Sequence, residues 1–139
     1  MDTPPPIPPI SPSAPELSAP EPIHWLLVLR DVAIVFGLTF LGGFVVGFTV
    51  SVLRRSGSNY LYAIVVSNLL LGTLGFVISG CLAPPNRWRH LLLVAFGVWL
   101  TGLINVVIAH VSIGQWVGSL LAVALMAGVG GAISYVFKK

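Results

Sequence analysis

Four long apolar runs, at about residues 32–53, 60–83, 91–110 and 115–137, fill most of the chain, and short polar stretches separate them. A hydrocarbon core about 30 Å thick is crossed by about 20 helical residues, and each run reaches that length. The runs do not alternate between apolar and polar positions, as barrel strands do. In lipid, where the backbone must satisfy its own hydrogen bonds, such runs predict α-helices. The connectors "RRSGSN", "PPNRWRH" and "VSIG" are short, which predicts antiparallel neighbours.

Ahead of the runs stands "IHWLLVLRD", residues 23–31, too short to span and ending in adjacent charges. It reads as a short interfacial segment. Residues 1–22 hold nine of the eleven prolines. Proline removes backbone donors, and too few apolar groups are present to offset the entropy of ordering, so this segment reads as a disordered tail. A secretory signal fits poorly, since no basic stretch precedes residues 23–31 and no small-residue cleavage pattern follows. The sequence thus predicts an all-α integral membrane protein: four antiparallel transmembrane helices (residues 32–139) behind a disordered Pro-rich N-terminal tail.

Composition sharpens this picture. The chain of 139 residues is 56% hydrophobic and only 8% charged, against about 25% charged in soluble domains. All four acidic residues (Asp2, Glu16, Glu21, Asp31) fall in the first quarter, outside the four runs. The basic residues flank the runs. Arg54, Arg55, Arg87, Arg89, Lys138 and Lys139, with Trp88, are expected to anchor at lipid headgroups, so the net charge of +3 points to a bilayer and not to nucleic acid. One side collects Arg30, Arg87, Arg89, Lys138 and Lys139, and the other Arg54 and Arg55. The positive-inside bias then predicts a multi-pass plasma-membrane protein with both termini in the cytoplasm. Trp25, Tyr60, Tyr62, Trp88, Trp116 and Tyr135 fall near the expected interfaces. Trp99 falls inside, where its indole N–H needs a partner. A single Cys81 excludes an intrachain disulfide.

Small residues recur every fourth position: Thr39, Gly43, Gly47 and Ser51 in the first run; Gly97, Thr101, Asn105 and Ala109 in the third; Gly114, Gly118 and Ala122 in the fourth. A second stripe in the fourth run is Ala124, Gly128 and Ala132. In the second run Asn68, Gly72, Gly75 and Ser79 share one face. Helices in lipid associate through close backbone approach and interhelical hydrogen bonds, so these faces predict packing seams.

Asn68 and Asn105 are the notable polar residues. At 1.5 Å per residue they lie about 4–5 Å and about 7 Å from the midplane, both in the outer half. That depth allows a direct or water-bridged hydrogen bond between them, or a polar path lined by Asn68, Asn105, Thr101 and Thr39. His24, His90 and His110 fall at the borders, with no ligand-spaced motif for a metal. No serine, histidine and acid stand in a legible nucleophile arrangement, which argues against an enzyme; no cofactor is implied.

"LGGFVVGFTVSVLRR" and the Asn68 of "AIVVSNLLLG" are similar to the first and second helices of the fluoride-channel family. "FGVWLTGLINVVIAH" lacks that family's Thr/Ser-rich break with phenylalanines in the third helix, so no family is assigned. Small multidrug exporters have a similar length and topology, but the first run lacks their embedded glutamate. The function expected is therefore non-catalytic: a small accessory or assembly protein packing through Gly/Ala helix faces, against itself or another membrane protein. The alternative is an oligomeric channel or small-solute transporter around Asn68, Asn105 and Thr101.

Overall fold

A computed structural model describes residues 23–53, 59–108 and 110–137. The tail before residue 23, together with Arg54, Arg55, Lys138 and Lys139, lies outside the described residues. Five helices follow one another: α1 (Trp25–Leu53), α2 (Asn59–Leu82), α3 (Arg87–Thr101), α4 (Leu103–Ile108) and α5 (Ile113–Phe137). Among the described residues there is no strand. Four stretches, Trp25–Val52, Tyr60–Leu82, Arg87–Ile108 and Ile113–Phe137, are long and apolar enough to cross a membrane.

Two boundaries differ from the sequence reading. Residues 25–31, set apart there as an interfacial segment, are the first two turns of α1. Nothing between Trp25 and Val32 breaks a helix, and the adjacent Arg30 and Asp31 are accommodated within it. The third apolar run begins at Arg87 and is interrupted at Gly102.

The break has a side-chain cause. Trp99 and Trp116 stack with ring centroids 4.1 Å apart. Each indole N–H donates to the other's backbone carbonyl, Trp99 Nε1 to Trp116 O at 3.1 Å and Trp116 Nε1 to Trp99 O at 3.0 Å. The Trp99 carbonyl also accepts the Gly102 N–H in a tight three-residue turn. A side chain that enters the helical ladder in this way kinks it. Gly102 suits the spot, since a Cβ there would stand 2.9 Å from the Trp99 carbonyl oxygen. Trp99 thus has the interior partner its position demanded. That partner is Trp116, a residue expected at the interface.

α1 and α2 meet along their length. Val35 lies against Gly75, Leu71 and Ser67 against Gly42, and the Tyr60 hydroxyl near Gly47. The core proper is confined to one half of the bundle, where Val28, Val32 and Val35 of α1 cluster with Phe76, Leu91, Val94, Val123, Met126 and Ala127. In the other half (residues 43–52, 60–71, 95–108 and 113–122) no residue is buried.

The tight half is built on glycine. A Cβ on Gly75 would stand 2.9 Å from the Val35 Cα, and one on Gly130 would stand 2.6 Å from the Phe76 Cβ and 2.8 Å from the Thr73 carbonyl oxygen. Those neighbours are backbone or backbone-proximal, so only glycine allows this helix spacing. Gly72 faces the Met126 sulfur, and Gly43 has only an ordinary contact with Asn68. Gly114, Gly118 and Gly128 meet nothing within 4 Å. α5 therefore packs on Met126, Gly130 and Ser134, while Gly114, Gly118 and Gly128 face away from the neighbouring helices. The stripe from Gly97 to Asn105 crosses the break at Gly102 and does not form one continuous face.

Candidate functional site

Two polar sites occupy opposite halves of the molecule. The first is centred on Asp31, which is 0% exposed two turns into α1. Its Oδ2 accepts the Ser79 hydroxyl of α2 at 3.0 Å and lies 2.8 Å from His90 Nε2 of α3. Its Oδ1 accepts Arg30 Nε at 2.7 Å. His90 is 5% exposed and Ser79 is 0% exposed. One carboxylate therefore ties three helices together and fills its acceptor sites in doing so. Such a group is costly to bury alone and is kept where partners meet it.

This corrects the sequence reading at three points. Asp31 lies within a candidate span and not outside one. His90 is a buried partner and not an interfacial ring. Serine, histidine and acid do come together. Their order is not that of a nucleophile, however, because the carboxylate stands between Ser79 and His90 and receives the serine proton itself. Among the described residues no histidine contacts the Ser79 oxygen, so the Ser–His step of a triad is missing. Among the described residues no group of His, Cys, Asp and Glu is spaced to hold a metal.

A cavity of about 270 Å³ opens at this end of the bundle. Its lining is apolar at Ile23, Pro84, Pro85 and Leu93 and polar at His24, Asn86, Arg89 and His90. Nearby, Trp88 packs on Tyr135 at 6.2 Å between centroids, and the Arg87 guanidinium lies 4.8 Å from the Tyr135 centroid. These two expected headgroup anchors thus also clasp α3 to α5. Arg89 is exposed.

The second site is a cleft of about 350 Å³ in the open half, lined by Phe36, Thr39, Phe40, Gly43, Phe44, Asn68 and Asn105. The two asparagines, aligned in depth by the sequence reading, share this cleft without bonding to each other. The Asn68 Oδ1 is buried with no hydrogen-bond partner among the described residues. The hydroxyls behave differently. Thr39 donates to the carbonyls of Val35 and Phe36, and Thr101 to that of Val98, each within its own helix. Thr101 does not line the cleft. Gly72, Gly75 and Ser79 lie deeper, in the tight half, and Gly47 lies near Tyr60.

The sequence reading missed the Asp31–His90 pair. One signal was available: "WLLVLRDVAIVF" contains no helix breaker, so Asp31 had to enter whatever helix its neighbours formed. No family model, no curated protein and no solved structure matches the chain.

Proposed function

We propose that this chain is a non-catalytic membrane assembly protein: four antiparallel spans, tight at one end, whose open half is completed by helices of a partner, a second copy of the chain among them. The contacts between α1 and α2, in which Asp31 meets Ser79, Val35 meets Gly75 and Gly47 meets Tyr60, favour the antiparallel hairpin. The positive flanks favour cytoplasmic termini.

The observation that carries the proposal is an open cleft lined by Asn68, Asn105 and exposed phenylalanines, in a half of the bundle that has no core. Lipid offers no hydrogen bonds, and a polar group left unpaired there is costly. A partner helix placed on the cleft would offer hydrogen-bonding groups to Asn105 and cover Phe40 and Phe44, which are largely exposed. The outward Gly114 and Gly118 would permit close approach at α5.

An interhelical hydrogen bond of this kind contributes about 0.6 kcal/mol on average and up to about 2. Asn68→Leu is therefore expected to weaken assembly by about 3-fold to 30-fold, read as a shift from a complex toward a single chain on dilution in mild detergent. A single-chain mass for the unaltered protein extracted from its native membrane would sink the proposal.

A second reading is favoured by the two asparagines that line the same open cleft: a solute path formed within an oligomer. Reconstituted liposomes separate the two. Solute flux that disappears in Asn68→Leu or Asn105→Leu contradicts a purely accessory role, and absence of flux supports it.

A further inference from the structure

The cavity at the other end of the bundle has features that the assembly role does not use. We infer that it binds a phosphate group, that of an anionic phospholipid or a free phosphate, through Arg89, His24 and Asn86. The inference rests on the membrane placement of the four helices and is independent of what completes the open half.

Charge is the first argument. Asp31 is matched by Arg30 at 2.7 Å and touches His90 at 2.8 Å, so its charge is already spoken for. Arg89 makes no hydrogen bond or ion pair among the described residues, and no carboxylate lines the cavity. The polar wall is therefore cationic, with an unmatched guanidinium whose fork of donors fits phosphate oxygens. His24 and Asn86 bring further hydrogen-bonding groups from the two segments that flank it.

Shape and depth are the second argument. The cavity sits where α1 starts, α2 has ended and α3 begins, which is headgroup level for helices that cross a bilayer. The rest of the lining is apolar, made by Ile23, Leu93 and the two prolines. At about 270 Å³ the space lies near the lower bound of small-ligand pockets, which is about 300 Å³. It accommodates a phosphate and the start of a glycerol, and leaves acyl chains along the outer surface. Basic pockets between membrane helices on the cytoplasmic side take lipid headgroups by this chemistry.

The test uses the full chain in neutral detergent, read by native mass spectrometry with three probes: phosphatidylglycerol, phosphatidylcholine and inorganic phosphate. The expected result is retention of one phosphatidylglycerol per chain, with phosphatidylcholine retained at least tenfold more weakly. Arg89→Gln is expected to weaken phosphatidylglycerol binding by about tenfold. Gln115→Glu, which lowers the net charge by the same amount at the start of α5, away from the cavity, is expected to leave it unchanged. Displacement by millimolar inorganic phosphate identifies the free anion as a ligand in its own right, and failure to displace identifies the lipid; either supports a phosphate site. Equal retention of the two lipids with no binding of inorganic phosphate, or equal loss in Arg89→Gln and Gln115→Glu, overturns the inference. Resistance of the unaltered chain to alkaline extraction from membranes reports separately on membrane placement.

Discussion

Asp31→Ala is expected to destabilise the folded chain by about 3 kcal/mol or more, among the largest effects of any single substitution. The change strands two buried groups, the Ser79 hydroxyl and His90 Nε2, and removes the partner of the partly exposed Arg30. Each buried polar group left without its partner costs about 1–3 kcal/mol, because it stays desolvated. Asp31→Asn keeps an acceptor for Ser79 and loses the charge, so its cost is expected to be smaller. Unfolding by graded addition of a denaturing detergent, followed by tryptophan fluorescence, reads both. A double-mutant cycle of Asp31→Asn with His90→Ala should show a coupling of about 1–3 kcal/mol, the range for residues in contact. Additive effects would mean that the two side chains do not interact in the folded protein.

The second large effect is expected at Gly130. Any side chain there meets the Phe76 Cβ and the Thr73 carbonyl oxygen, neither of which can swing away, so α2 and α5 must separate. Gly130→Ala is expected to cost about 1–3 kcal/mol and Gly130→Ile to abolish folded yield. Gly75→Ile should behave alike through the Val35 backbone. Two positions away on α5, Gly128 has open space, and Gly128→Ala should be neutral or stabilising by up to about 1 kcal/mol as helix propensity improves. The same denaturing titration checks the contrast. Equal effects at Gly128 and Gly130 would show that α5 packs on a different face.

That contrast also shows what the sequence could and could not reveal. The four long helices were legible, because twenty apolar residues without alternation leave few other structures. The choice of face was not legible. In a soluble helix the polar side marks the outside, whereas here lipid and core are equally apolar and no stripe of charge points away from the seam. Small-residue faces therefore described Gly114, Gly118 and Gly128 as well as the packed Gly72 and Gly75, and none of those faces included Gly130.

The polar sites divide in the same way. Asn68 stood out as a carboxamide inside an apolar run, and it does line a cleft with Asn105. The Asp31 cluster was hidden by its setting. A carboxylate beside an arginine at the edge of an apolar run reads as a border, and its partners Ser79 and His90 lie 48 and 59 residues away. The helix break at Gly102 depends on Trp99 meeting Trp116 across the bundle, another long-range pairing that local spacing does not encode.

The central claim is that the open half is completed by a protein partner. The most direct test places a photo-crosslinking side chain at Phe44 or at Val107, both exposed in the open half, and at Leu26 in the tight half as control. Irradiation in native membranes is predicted to give a protein adduct of discrete mass from Phe44 and Val107 and none from Leu26. Adducts to lipid alone at all three positions would contradict the account.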